Sequence, residues 1–334
     1  MKILCTLGPK SINQNIISDL EEQGVSLFRI NLSHTAVEDL ENTINKIRKF
    51  SKVPICIDTE GAQIRTTKFN QNFVKNETLE LFNVSNDFSL RPFDVVLREA
   101  RVGDKISIDF NDVLVEVVDK KNNSIIIKTL KPGAAGENKA VSFERSIYIP
   151  PFSEKDYKAF EIASKMEINN YAVSFSSSKD NVTELKQYIP RDSFIISKIE
   201  SKKGLINLEE IIEISDAILI DRGDLSREIA LEKIPYFQKE IIRKTLRKNK
   251  EVYVATNLLE SMIENPLPSR AEVNDVFNTL VDGASGLVLA AETAVGKFPV
   301  DSVKMINRII KFYRHFNIMD SAADDNQFFL ENIE

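Results

Sequence analysis

The chain has 334 residues, 44 Lys plus Arg against 50 Asp plus Glu, 43% hydrophobic residues and a formal charge of −6 with histidine neutral. That length buries a large core without staples and suits either two domains or one barrel with an addition. The mild acidity argues against a general nucleic-acid binder, no run approaches the ~18 apolar residues of a membrane span, and Cys5 and Cys56, with no CxxC, make no disulfide framework.

The start, MKILCTLGPK, is broken by Gly8 and Pro9 too soon for a signal peptide, so a cytoplasmic globular protein is expected. Lys2–Leu7, Val25–Ile30 and Val53–Asp58 read as strands, with an amphipathic stretch through Gln23 and a helix over about Ala36–Phe50 between them. These strands are nearly continuous apolar runs, as in a parallel sheet covered by helices. From about Thr67 to Ser146 the rhythm changes to short strands (KISIDF, VLVEVV, SIIIKTL) separated by turn residues, with no long helix. After Pro150 and Pro151 it resumes. Ser153 and Asp156 predict a capping box opening a helix. Strands are predicted at Tyr171–Phe175, Ser193–Ile199, Asp216–Ile220, Glu251–Thr256 and Gly286–Ala290. Helices are predicted over Lys179–Tyr188, Leu205–Ile214, Ile229–Lys248, Ala271–Asp282 and Pro299–Phe316.

Eight strand–helix units favour an α/β fold, a (β/α)8 TIM barrel interrupted after its third strand by a small β-rich domain. A doubly wound open sheet is the alternative. The expected division is 1–66 for the first part of the barrel, 67–146 for the inserted lid, 147–318 for the rest of the barrel and 319–334 for an acidic tail.

A barrel places its active site at the carboxyl ends of its strands. Those ends carry Arg29, Asn31, Ser33 and His34; Asp58, Thr59, Glu60 and Arg65; Lys198 and Glu200; Arg222, Gly223 and Asp224; Thr256 and Asn257; Glu292 and Thr293. Charged strand ends are poor core material, and six of them mean a site. Lys198 and Glu200, two apart, point to one side of a strand. Glu200 and Asp224 come from adjacent strands and suit Mg²⁺, whose shell a substrate's oxygens would complete. The bland alternative is a Lys–carboxylate network that only neutralises the rim. DRGD (Asp221–Asp224) offers exposed N–H groups to an anion at a strand-to-helix turn. Arg29 and Arg65 suit phosphate, or else a rim salt bridge. Asn31, Ser33, Asp58 and Thr59 offer hard oxygen atoms to a monovalent cation or to phosphate-binding contacts. His34 is a site residue or a plain helix-start polar residue, and His315 is left to surface or interface.

Taken together the segments resemble the pyruvate kinase family. CTLGP (Cys5–Pro9) resembles the family's CTIGP, FRINLSH (Phe28–His34) its ARLNFSH, and IDTEGAQIRT (Ile57–Thr66) its LDTKGPEIRT. IISKIES (Ile195–Ser201) is similar to IISKIEN and IDRGDLSREI (Ile220–Ile229) to VARGDLGVEI. Ala255–Ala284 resembles ATQMLESMIxxPxPTRAExxDVANAVxDGx, and AAETAVGKFPVDSV (Ala290–Val303) resembles SGETAxGxYPxxAV. The likeness runs over about residues 1–316 in order.

It implies phosphoryl transfer from phosphoenolpyruvate to ADP, giving pyruvate and ATP, with the small domain closing over the substrates. Lys198 would lie at the phosphoryl group and stabilise the enolate, Glu200 and Asp224 would hold Mg²⁺ (or Mn²⁺), and Arg29 would grip the phosphoryl group. The backbone of Arg222, Gly223 and Asp224 would receive the substrate carboxylate, and Thr256 would stand near the carbon that gains a proton. Asn31, Ser33, Asp58 and Thr59 would take the K⁺ positions, with His34, Arg65 and Lys139 on the nucleotide side. The family's further C-terminal domain, with its effector sites and one subunit interface, is expected to be absent, which leaves a homodimer through barrel helices. Departures fall on the acceptor side. Glu60 stands for lysine, Ala62 for proline, Gln63 for a glutamate associated with K⁺ dependence, Asn257 for glutamine, and Ala290–Ala291 for Ser–Gly. Phe175–Ser177 lacks the arginine of the family's SFVR. A phosphoenolpyruvate or 2-oxo acid enzyme with another acceptor, and a catalytically quiet relative, are the competing readings.

Overall fold

The computed structural model describes residues 1–84, 86–109 and 112–319, with side chains to residue 315. The acidic tail falls on residues 320–334, outside the described residues. Two compact units divide the chain, Met1–Glu60 together with the chain from Phe152 onward, and Gly61–Pro151.

The first unit is built on eight parallel strands: β1 (Lys2–Thr6), β2 (Leu27–Asn31), β3 (Ile55–Asp58), β4 (Asn170–Val173), β5 (Phe194–Ile199), β6 (Ala217–Asp221), β7 (Glu251–Ala255) and β8 (Gly286–Leu289). Each pairs with the next in sequence, and β8 returns to β1 with Lys2 opposite Gly286, so the barrel is closed. Closure removes sheet edges, and it excludes the open-sheet alternative.

Side-chain alternation sorts every strand into two faces. Leu4, Leu27, Cys56, Ala172, Ile196, Ala217, Leu219, Tyr253, Ala255 and Val288 form one buried cluster inside the barrel. Their neighbours, among them Ile3, Phe28, Ile57, Tyr171, Ile195 and Leu287, pack outward under the helices, as do Ile199, Ile218, Ile220, Val252 and Val254. Both faces are apolar, which is why the strands read as uninterrupted hydrophobic runs. At the amino end of the barrel, Lys2 Nζ pairs with Glu251 at 2.7 Å, and Glu251 also accepts from the Tyr253 hydroxyl.

Helix ends follow local chemistry. Ser153 and Asp156 form the predicted capping box at the start of helix Glu154–Lys165. The helix predicted over Ile229–Lys248 starts later, as a 3₁₀ turn at Leu231–Lys233 followed by Ile234–Arg247. Pro235, with no N–H to donate, fits only in that first turn. The helix expected from Leu205 is two pieces, Lys202–Ile206 and Leu208–Ile214, joined at Asn207, whose amide donates to Ser177 O at 2.7 Å. Among the described residues no helix is long and apolar enough to cross a membrane.

The second unit is a seven-stranded antiparallel sheet in the order Thr78–Phe82, Ser124–Lys131, Val113–Lys120, Lys105–Ile108, Ala140–Phe143, Ile64–Thr66, Leu90–Arg91, with a separate pair Gln71–Phe73 and Gly133–Ala135. Its own core includes Leu81, Phe88, Ile106, Val115, Ile125 and Val141. A helix at Phe93–Glu99 is too short for its periodicity to have stood out among strands.

One ion pair ties this unit's turns together. Arg145 Nε and Nη2 donate to the two Asp104 oxygens at 2.7 and 2.8 Å, and Nη2 also reaches Glu99 O. Burial works to raise the Asp104 carboxyl, but the Arg145 guanidinium and the Arg101 N–H outweigh it and hold it below the ordinary value. Its contribution is therefore fully present above the unfolded-state value of about 3.9 and is lost as pH falls through the lower folded value. Asp104→Asn should lower stability by about 1–3 kcal/mol at pH 7. The gap from wild type should shrink below about pH 3, as urea unfolding at the two pH values would show. A gap equally wide at both would refute the assignment.

Candidate active site

Strand alternation determines which side chains arrive at the carboxyl end of the barrel. Continuing the inward positions one step past the apolar cluster gives Thr6 on β1, Arg29 and Asn31 on β2, Asp58 on β3, Ser174 after β4, Lys198 and Glu200 on and after β5, and Asp221 on β6. All lie in the barrel unit, and most are buried. Arg29 is 4% exposed, Lys198 5%, Glu200 1% and Asp58 0%, so their charges must be settled among themselves.

Lys198 is the hub. Its Nζ lies 2.9 Å from Glu200 Oε1 and 3.3 Å from Asp58 Oδ1, and donates to Ser174 Oγ at 3.0 Å. Burial alone would lower the pKa of this ammonium, but Asp58, Glu200 and Asp221 together raise it, so it stays charged. Arg29 Nε donates to Thr6 Oγ1 at 3.0 Å, and its Nη1 lies 3.5 Å from Asp58 Oδ2. Asp58 thus faces two cations, one through each oxygen.

Glu200 is pushed up to about 8, first by burial, with Lys198 pulling the other way and Asp224 and Asp221 adding to the rise. Its Oε2 accepts the Phe175 N–H at 2.5 Å, which holds the carboxylate from behind. Oxygen atoms of Glu200, Asp221 and Asp224 lie within 4.8 Å of one another. These three hard carboxylate donors, Glu200 the most deeply buried of them, fit Mg²⁺ or Mn²⁺, because a divalent cation supplies the positive charge the carboxylates lack.

Asp221, Arg222 and Gly223 form one clamp on Thr256. Asp221 caps the short helix Arg222–Leu225, with Asp224 N donating to its Oδ1 at 3.4 Å. The same Oδ1 accepts the Thr256 hydroxyl at 2.6 Å. Arg222 Nε and Nη2 donate to Thr256 O at 3.0 and 2.7 Å, while its Nη1 is held by Asp275 at 2.7 and 3.0 Å. The Arg222 side chain is thus engaged in holding the loop. A Cβ on Gly223 would meet Thr256 Cγ2 at 2.7 Å, so glycine is required there. Asp224 itself pairs with Arg227 at 2.6 Å.

Asn31 Oδ1 accepts the Ser33 N–H at 2.8 Å, and the exposed His34 follows in the same turn. Thr59 Oγ1 accepts the Ser174 N–H at 2.9 Å, and its carbonyl accepts the Ser174 hydroxyl at 2.7 Å. Glu292 is a loop clamp, accepting Leu259 N at 3.2 Å and Ala290 N at 2.9 Å. Thr293 Oγ1 ties back to Thr6 O at 2.8 Å. In the β-rich unit, Arg65 lies on strand Ile64–Thr66 instead of leaving β3. It donates to Gln63 Oε1 at 2.7 Å and to Asn138 O at 2.8 Å. Lys139 in that unit pairs with Asp109 at 2.8 Å.

Thr6, Ser174 and Asp221 received no role from the sequence alone. The available signal was parity, since each occupies the inward position of its strand, but single polar residues in apolar runs do not stand out without the barrel.

Residues 1–303 match the family model for the pyruvate kinase barrel domain. The chain is 34% identical over 326 residues to a pyruvate kinase of Thermotoga maritima, covering 93% of this chain and 70% of the relative. It is 31% identical over 335 residues to one of Thermoplasma acidophilum, covering 99% and 60%. For one of Borreliella burgdorferi the match is 33% over 322 residues, covering 93% and 67%. The chain thus spans about two thirds of the length of these relatives. With the closed barrel, the interruption after its third strand and these matches in agreement, the chain belongs to the pyruvate kinase family of phosphotransferases.

Proposed function

We propose that this chain transfers a phosphoryl group from phosphoenolpyruvate to ADP, giving ATP and, through enolpyruvate, pyruvate. The observation that carries the reading is the Lys198 ammonium, nearly buried and held between Glu200 and Asp58 at the carboxyl end of β5. A fixed cation in a water-poor site neutralises charge that develops on transfer, without reorganising as it does so.

Arg29 and Lys198 bind the phosphoryl group. As the P–O bond to the enol oxygen breaks, Lys198 neutralises the enolate that remains, and Thr256 stands where the methylene carbon gains its proton. In the Arg222–Asp224 turn the N–H groups of Arg222 and Gly223 orient the substrate carboxylate, while that of Asp224 is given to the Asp221 carboxylate. Glu200 and Asp224 would hold Mg²⁺ or Mn²⁺, which when bound supplies Lewis-acid neutralisation of the phosphoryl and enolate oxygens. Asn31, Ser33, Asp58 and Thr59 would hold K⁺. Nucleotide contacts are assigned to His34 in the barrel unit and, within the β-rich unit, to Arg65 and Lys139. We assign the protein to the cytoplasm as a homodimer, for which Leu231 and Tyr236, 73% and 63% exposed on one barrel helix region, are candidate contacts. Light scattering reporting a monomer at micromolar concentration would reject the dimer.

The deciding experiment is a product-resolved assay with phosphoenolpyruvate, Mg²⁺ and a panel of nucleoside diphosphates, with and without K⁺. Pyruvate and nucleoside triphosphate should form in equal amounts. Consumption of phosphoenolpyruvate with no nucleotide phosphorylated would shift the reading to another acceptor, as the carboxylate of Glu60 in place of the family's lysine would favour.

A further inference from the structure

Where the family motif reads VARGD this chain reads IDRGD, so Asp221 adds a carboxylate at a position without one in the motif it resembles. It sits at the inward end of β6, 9% exposed. Its partner, Thr256, is unusual in its backbone. Thr256 adopts φ 73°, a left-handed conformation that a β-branched residue avoids. Such strain persists only where surrounding contacts over-determine it, and it concentrates at functional positions. Here the contacts are explicit. The Asp221 carboxylate takes the hydroxyl at 2.6 Å, the Arg222 guanidinium takes the carbonyl twice, and Gly223 packs against the methyl group.

We propose that Asp221 is a positioning residue that locks the Thr256 side chain in its reactive orientation at the barrel mouth. This rests on the pyruvate kinase reading and deepens it. A threonine hydroxyl has one hydrogen and two lone pairs. With the hydrogen committed to Asp221, Oγ1 presents lone pairs alone to the substrate side. In this chain Thr256 therefore accepts from a ligand-side donor, such as the water that delivers a proton to the enolate, and does not donate to the substrate carboxylate. Alanine at position 221 frees the hydroxyl to rotate and to donate to an anion.

The test is a double-mutant cycle between Asp221 and Thr256, read both in thermal unfolding and in turnover at saturating Mg²⁺. Asp221→Ala should lower kcat about tenfold while changing the KM for phosphoenolpyruvate by less than about threefold. Asp221→Asn, which keeps an acceptor oxygen, should retain at least about a third of the wild-type kcat. In a Thr256→Val background Asp221→Ala should lower kcat and melting temperature by clearly less than it does in wild type, the remainder reflecting its cap on Arg222–Leu225 and its charge beside Lys198. In a Thr256→Ser background its full effect should return. Additive effects in the valine background, in unfolding or in turnover, overturn the proposal, as does a loss confined to KM or an Asn variant as impaired as the Ala variant. Should the wild type make no pyruvate at all, the functional reading fails. The unfolding cycle still judges the clamp, because it requires no activity.

Discussion

Lys198→Met should reduce turnover by at least about 10³-fold while leaving the barrel folded. Removing a single neutral oxyanion donor costs about 10²–10³ in other enzymes, and here a full, buried positive charge is withdrawn. The structural consequence is as specific as the catalytic one. Without the ammonium, Arg29 alone faces Asp58, and Glu200 loses the cation 2.9 Å from Oε1. Breaking a buried ion pair by deleting one partner costs about 3–5 kcal/mol. Burial disfavours the Glu200 charge and Lys198 is the group that opposes this, so the carboxyl takes up a proton more readily in the variant, which moderates that cost. The variant should melt below wild type in metal-free buffer and regain part of the difference on adding Mg²⁺, since a ligand that binds only the folded state stabilises it. Turnover within tenfold of wild type would remove Lys198 from the reaction. A melting temperature equal to wild type without metal would contradict the charge balance drawn from the buried cluster.

The barrel was legible because its strands are apolar on both faces and recur eight times with helices between them, a pattern that parallel closed sheets produce. Lys198 and Glu200 were legible because a lysine and a glutamate two apart at the end of ISKIE cannot be core residues. On sequence alone Arg65 leaves the third strand within the barrel segment. QIRT does not mark whether the chain there still belongs to the barrel or already to the β-rich unit, where the structure places it. Only its pairing, Arg65 opposite Ala140, decides between them. Ser174 was silent for a different reason. A hydroxyl in YAVSF fits a strand, a turn or a cap, and its role as the link between Lys198, Asp58 and Thr59 depends on three segments far apart in sequence. Asp221 lay inside a recognised motif, yet the motif drew attention to the Arg-Gly-Asp that follows it. What it does depends on the backbone of Thr256, which local sequence does not predict.

Glu200→Gln should weaken Mn²⁺ binding by at least about tenfold in the absence of any substrate, and raise the Mg²⁺ concentration needed for half-maximal activity in parallel. The proposed pair of cation ligands, Glu200 and Asp224, loses one of its two charges, and an amide oxygen is a weaker ligand for a hard divalent cation. The change also disturbs what holds the side chain. In wild type Oε2 accepts the Phe175 N–H and Oε1 faces Lys198 Nζ, so both sides of the carboxylate meet donors. An amide has only one acceptor oxygen. Either Phe175 N–H or the Lys198 ammonium then faces an NH₂ group, and one donor in this buried site goes without its acceptor. Two effects are therefore superimposed, and saturating Mg²⁺ separates them. Activity that recovers fully at high Mg²⁺ assigns the defect to cation affinity. Activity that plateaus well below wild type shows that Glu200 also holds Lys198 in place. Direct Mn²⁺ titration supplies the decisive outcome. An affinity unchanged from wild type would mean that Glu200 holds no cation, and would leave its carboxylate as the counter-charge of Lys198 alone.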